Sequence, residues 1–350
     1  MAHSCDGCDI FIDPFPMATI RSAKPDDWTQ YELDFYGIGI ETQNRQEFFG
    51  SVGFTPPAAV IHSIAGFATT QDRENAVDRE TRKLLHYFDL MLDPQVGQEA
   101  AVDNFAAKLL EKLGYDDDDD CDRIIFIRRA LPIVISGVPY ITQADVCVMD
   151  EFNQVLLILQ DDKLSPDLKD PEPQIVAKAI AAYGVNNKIR VTSLNRPPLP
   201  AITFPAISMV GTKLVFYKIT VTDGLSAAVQ RGRAEFETAS RVVRCIPILP
   251  WPHGLGMRPL ENRAEILACL GAFKQFMESS SGSPAPDSDT GSQSPRAEST
   301  GTRTSTTRKQ NRHHPWTLFV RLPNTTNETD LKEFFGEAKD GVRAFVQLQR

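Results

Sequence analysis

The chain has 350 residues, 42% of them hydrophobic and 24% charged, with a formal net charge of -9. That composition supports at least one substantial buried core and excludes collagen, coiled-coil and disulfide-scaffold architectures. An acidic surface repels a phosphate backbone, so any nucleic-acid partner requires a local basic patch.

The first residues, Met1 to Asp13, lack a basic segment followed by an apolar stretch, and no run of ~18 apolar residues occurs anywhere. The expectation is an intracellular protein, nuclear or cytoplasmic, with no membrane partner. Only Cys5 and Cys8 among the six cysteines have C-x-x-C spacing, and His3 is the one further ligand nearby, so free thiols are expected rather than zinc. Up to residue 93, Trp28, Tyr31, Phe35, Tyr36, Phe48 and Phe49 stand among polar residues without a motif. Residues 1–93 read as decoration packed on a central domain.

Residues 94–278 form that domain. Val102, Phe105, Ala106, Leu109, Leu110 and Leu113 recur at helical spacing, and Gly114 stands where such a helix would end. Three places before this stripe, Glu99 aligns its carboxylate with the packed face. The acidic run Asp116 to Asp120 reads as a solvated loop. Strands are expected over Arg123 to Arg129 leading into Pro132 to Gly137, over Ala144 to Met149 and over Val155 to Lys163, the last two joined by a turn at "DEFNQ". Asp170, Pro171 and Pro173 mark a helix entry, with Ile175, Ala179, Ala182 and Tyr183 on its apolar face. Two strands joined at Gly211, a strand in "ASRVVRCIPIL" and a helix after Pro259 complete an α/β (α+β) domain with a mixed sheet flanked by helices.

From Ser279 to Pro315 there is no Leu, Ile, Val, Phe, Met or Trp, so residues 279–314 are expected to form a disordered linker. Within it, "RKQNR" at Arg308 to Arg312 reads as a nuclear address or a solvated basic stretch. Residues 279–350 hold 10 basic and 8 acidic side chains, which makes the tail the mildly basic part of an acidic chain. The segment 315–350 reads as a short βαβ-like unit. Its "WTLFVRLPNTTNETDLKEFF" is similar to the first strand and helix of an RNA-recognition motif, which would make Phe319 a base-stacking, nucleic-acid-binding residue. An unrelated protein-docking segment is the other reading.

The chemistry concentrates at "VLLILQDDK", an apolar strand that ends in Gln160, Asp161, Asp162 and Lys163. Buried strands rarely end in clustered charge without use or solvation. Asp145 lies on the preceding strand, so a short hairpin would set it beside Asp161. Two converging carboxylates with an ammonium are suited to Mg2+ or Mn2+, the cation activating a water that Lys163 orients. A plain strand-end ion pair of Asp161 with Lys163 is the structural alternative.

Asp145 followed by Asp161-Asp162-Lys163 resembles the signature of the PD-(D/E)XK nuclease-like, or restriction-endonuclease-like, superfamily. The order of elements is similar to its αβββαβ core, and the arrangement is similar to a fungal branch of it. The likeness covers about Gln98 to Val221, with Ala144 replacing the usual proline and Asp161 the frequent Glu. It implies Asp145 and Asp161 as metal ligands, Lys163 beside the attacking water, Glu99 and Gln174 as further catalytic residues, and Lys178 as a nucleic-acid contact. The expected function is metal-dependent hydrolysis of phosphodiester bonds in DNA or RNA. The alternative is the same fold without activity, serving as a binding module associated with RNA or protein through its tail.

Overall fold

The computed structural model describes residues 23–50, 58–93, 100–116, 122–162, 170–234 and 240–281. For 58–63, 161, 162 and 278–281 it describes the backbone alone. Cys5, Cys8 and His3, most of the acidic run, the basic "RKQNR", and the linker and tail beyond residue 281 lie outside this set. The chain divides into Met1–Asp287 and Ser288–Arg350, and the structure below is that of the first unit.

Seven strands, β1 (Gly39–Thr42), β2 (Ile124–Ile135), β3 (Val138–Met149), β4 (Val155–Asp162), β5 (Ala201–Val210), β6 (Lys213–Thr222) and β7 (Arg241–Cys245), form one mixed sheet in the order β1-β7-β6-β5-β4-β3-β2. The N-terminal part is more than decoration. It supplies α1 (Gln30–Phe35), the edge strand β1 (Gly39–Thr42), α2 (Arg45–Phe49), α3 (Ala58–Thr69) and α4 (Arg79–Leu92). Strand β1 runs parallel to the last strand, β7 (Arg241–Cys245). Helix α5 (Ala101–Lys112) carries the stripe read from sequence, with Phe105, Ala106, Leu109 and Leu110 buried. Gly114 takes φ +69°, the left-handed conformation that lets the chain leave the helix.

Strands β2 (Ile124–Ile135) and β3 (Val138–Met149) form a longer hairpin than sequence suggested. Ser136 and Gly137 both have positive φ, 51° and 77°, as a two-residue type I′ turn requires. Pro132 lies in β2 and Pro139 in β3. They are accommodated because β2 is an edge strand and β3 meets β4 (Val155–Asp162) only over Val146 to Met149. The β3–β4 turn is held by Asp150, which accepts from the Phe152 and Gln154 amides at 2.9 and 2.8 Å.

Strand β4 is parallel to β5 (Ala201–Val210), a pairing that needs a crossover, and α6 (Glu172–Thr192) provides it. Gly211, at φ +60°, turns β5 into β6 (Lys213–Thr222), as expected. Sequence missed α7 (Asp223–Arg231), whose first turn is capped by the Thr222 hydroxyl accepting from Leu225 N. Helix α8 (Leu260–Phe273) follows Pro259.

Each face of the sheet has its own core. Val146, Leu157, Leu159, Ile207 and Phe216 pack in one cluster with residues of α4, α5 and α8. Cys147, Ile158, Ala206 and Tyr217 pack in the other with α6. Coverage on both sides explains why Val155 to Leu159 is uninterruptedly apolar.

Candidate active site

Helix α6 is fixed at both ends before it contributes anything to a site. At its start the buried Glu172 accepts from Tyr217 Oη at 3.2 Å and from Arg244 Nη1, while Arg244 Nε donates to Thr42 Oγ1 at 2.8 Å. Burial, with the Glu172 carboxylate beside it, pushes the Tyr217 hydroxyl well above its ordinary pKa. That phenol stays a donor. Two turns from the other end, Asn186 exchanges two 2.8 Å hydrogen bonds with the backbone of Val155, at the first residue of β4. Asn187 makes the equivalent pair with Leu199, just before β5. These clamps hold α6 over β4 and β5 in a single register.

Thus placed, α6 presents Lys178 and Gln174 to the sheet. Lys178 is 4% exposed and its Nζ lies 3.2 Å from Asp145 Oδ2, forming an ion pair whose carboxylate side chain is 24% exposed. One turn earlier, Gln174 Oε1 accepts from Gln160 Nε2 at 2.9 Å. Gln160 is the last residue of β4 before the paired aspartates. Cys147, two residues beyond Asp145, has its thiol pushed up to about 12 by burial, so it is no thiolate at neutral pH.

The backbone beside Asp145 is irregular. The β2–β3 ladder pairs Ile127 with Val146 and Arg129 with Ala144, and between them Arg128 takes φ +60°. A left-handed conformation at a residue with a Cβ costs roughly 1–3 kcal/mol. Here it breaks the ladder opposite Asp145, and Arg128 reaches Asp103 of α5, Nε to Oδ2 3.3 Å.

The structure thus brings together Asp145, Gln174 and Lys178 from the expected set. It pairs the backbone of Asp161 with Met209 and that of Asp162 with Val210 at the end of β4. The side chains of both aspartates, and Glu99, Lys163 and Phe319 altogether, lie outside the described residues. Lys178 sits inside the cluster, against a carboxylate, where sequence had assigned it to the nucleic-acid surface. Gln160 was visible in sequence only as the first polar residue at the end of an apolar strand, and Ser208, its β5 neighbour, gave no signal at all.

Among the described residues no group of three His, Cys, Asp or Glu side chains could hold a metal ion. Asp145 supplies one carboxylate to the cluster. Two basic side chains of the domain are engaged within the fold. Arg190 is buried, donating to Pro197 O, and Lys218 donates to Phe48 O and lies over the Phe48 and Phe276 rings at 4.4 and 3.9 Å. No helix among the described residues is long and apolar enough to cross a membrane. No family model matches the chain, and no curated protein matches it. The class shown is an α/β protein with a seven-stranded mixed sheet flanked by helices.

Proposed function

We propose that the cluster around Asp145 is the active site of a metal-dependent phosphodiesterase that cleaves nucleic acid, of the PD-(D/E)XK type. The observation that carries this reading is convergence. Asp145 of β3, Gln160 of β4, and Gln174 and Lys178 of α6 meet at the end of β4, where Asp161-Asp162-Lys163 follows. The order α5, β2, β3, β4, α6, β5 also agrees with the αβββαβ core.

Asp145 and Asp161 would hold Mg2+ or Mn2+, which supplies positive charge against the charge that develops on the phosphoryl group. Asp145 is held in place for this by Lys178, which balances its charge from the helix side. Lys163 would orient the attacking water, and Gln174, only partly buried at the start of α6, would meet a phosphate oxygen. Glu99, just before α5, is the further acid.

The same ion pair favours a second reading. An ammonium 3.2 Å from Asp145 competes with a cation for that carboxylate, as a fold retained for binding would allow. Purified protein incubated with DNA and with RNA in Mg2+ or Mn2+, beside Lys163→Ala, separates the two. The active site predicts cleavage that falls about a hundredfold in the variant. Absence of cleavage, or equal cleavage by both proteins, favours the binding module.

A further inference from the structure

On the face covered by α6, three neighbouring strands each place one polar residue: Asp145 on β3, Gln160 on β4 and Ser208 on β5. Gln160 and Ser208 are partners in the parallel β4–β5 ladder, on strands about 4.8 Å apart. Both are 1% exposed. Gln160 Nε2 is satisfied by Gln174 Oε1, but Gln160 Oε1 and Ser208 Oγ have no hydrogen-bond partner among the described residues. Leaving either buried group unmet costs about 1–3 kcal/mol. One is an acceptor and the other can donate, and they are neighbours.

We propose that Ser208, one bridging water and Gln160 form a hydrogen-bonded chain that orients the Gln174 carboxamide, making Ser208 and Gln160 positioning residues. A water between the two orphaned atoms accepts from the Ser208 hydroxyl and donates to Gln160 Oε1, which meets both of them. Gln160 Nε2 then holds Gln174 Oε1 inward. The outward atom of Gln174 is therefore Nε2, two N–H donors and no acceptor. Such an end selects an acceptor-only group, and a non-bridging phosphate oxygen is the one the site would meet. This step rests on the phosphodiesterase reading for its ligand, but the chain itself does not.

Side-chain amide NMR in the full-length protein, without metal, tests the chain whether or not the protein cleaves anything. Gln160 Nε2 protons are expected to exchange slowly and Gln174 Nε2 protons quickly, and Ser208→Ala is expected to speed Gln160 exchange. A protected Gln174 amide with a fast Gln160 amide overturns the proposal. So does a Ser208→Ala variant with unchanged Gln160 exchange. With a phosphorothioate oligonucleotide as probe, the Gln174 amide resonance is expected to shift. If the oligonucleotide shifts no resonance of the protein, the phosphodiesterase reading fails while the chain is judged on exchange alone.

In the cleavage assay, Gln160→Met keeps the side-chain volume and removes both ends of the link. It is expected to raise KM about tenfold with kcat within about twofold, the signature of a lost uniform contact to a charged group. Gln160→Glu can only accept when ionised, so it turns Gln174 Nε2 inward and is expected to raise KM further. Unchanged KM in both variants, in a protein that cleaves, overturns the proposal.

Discussion

Asp145→Ala is expected to lower stability by about 3 kcal/mol and, separately, to reduce cleavage at least ~1000-fold. The first effect follows from burial. Lys178 is 4% exposed, and removing the carboxylate 3.2 Å away leaves an ammonium inside the protein without its counter-charge. Lys178→Met is expected to cost less, about 1–2 kcal/mol, because Met fills the volume of the stem and the Asp145 carboxylate keeps partial access to water. The double variant should therefore be more stable than the sum of the two changes implies, by about 1–3 kcal/mol. Urea unfolding of the four proteins measures this coupling. Additivity within about 0.5 kcal/mol would mean that the ion pair holds neither residue in place. The catalytic effect follows from the loss of one of two carboxylates proposed to share a cation. It is read under conditions where the variant is folded.

Arg263→Leu is expected to destabilise the protein by about 3–5 kcal/mol without touching the site. Arg263 is fully buried on α8 and donates to three backbone carbonyls. Its Nε donates to Met257 O at 3.1 Å, and its Nη1 donates to Phe67 O and Thr70 O at 2.9 and 2.8 Å. The last two carbonyls belong to the end of α3, where a cation is also favoured by the helix dipole. The guanidinium lies 4.6 and 4.7 Å from the centres of the Phe67 and Phe88 rings. Burial lowers its pKa to about 10, so it remains charged at neutral pH. Leucine removes all three donors and the stacking at once. Denaturant titration should show a lower midpoint with an unchanged slope, and a shift below about 1 kcal/mol would show that water replaces the guanidinium at these carbonyls.

The contrast between these residues shows what sequence could carry. Helix α5 was legible by its helical periodicity, strand β4 by its unbroken apolar run, and α6 by the prolines at its entry. The first half of β3 was not, since Pro139 and its polar residues suit a ribbon edge that only the tertiary pairing reveals. Strand β1 has no local signal, because its partner is β7 at the far end of the domain.

At the site, Asp145, Gln174 and Lys178 could be selected by spacing, but their contacts could not. Which side of α6 meets the sheet depends on Glu172 with Arg244 and on Asn186 with Val155, both long-range interactions. That is why Lys178 reads as a surface contact in sequence and as a buried partner of Asp145 in the fold. Ser208 is a single small polar residue in an apolar strand, a pattern with no meaning until Gln160 lies beside it. Arg263, likewise, reads as an ordinary helix charge until three carbonyls converge on it.

Titration of the folded protein with Mn2+, followed by paramagnetic resonance, addresses the shared carboxylate site most directly. One bound ion in the wild type, lost in both Asp145→Ala and Asp161→Ala while each remains folded, is the predicted result. A wild type that binds no Mn2+, or an ion retained when either aspartate is removed, would contradict a cation held between β3 and the end of β4.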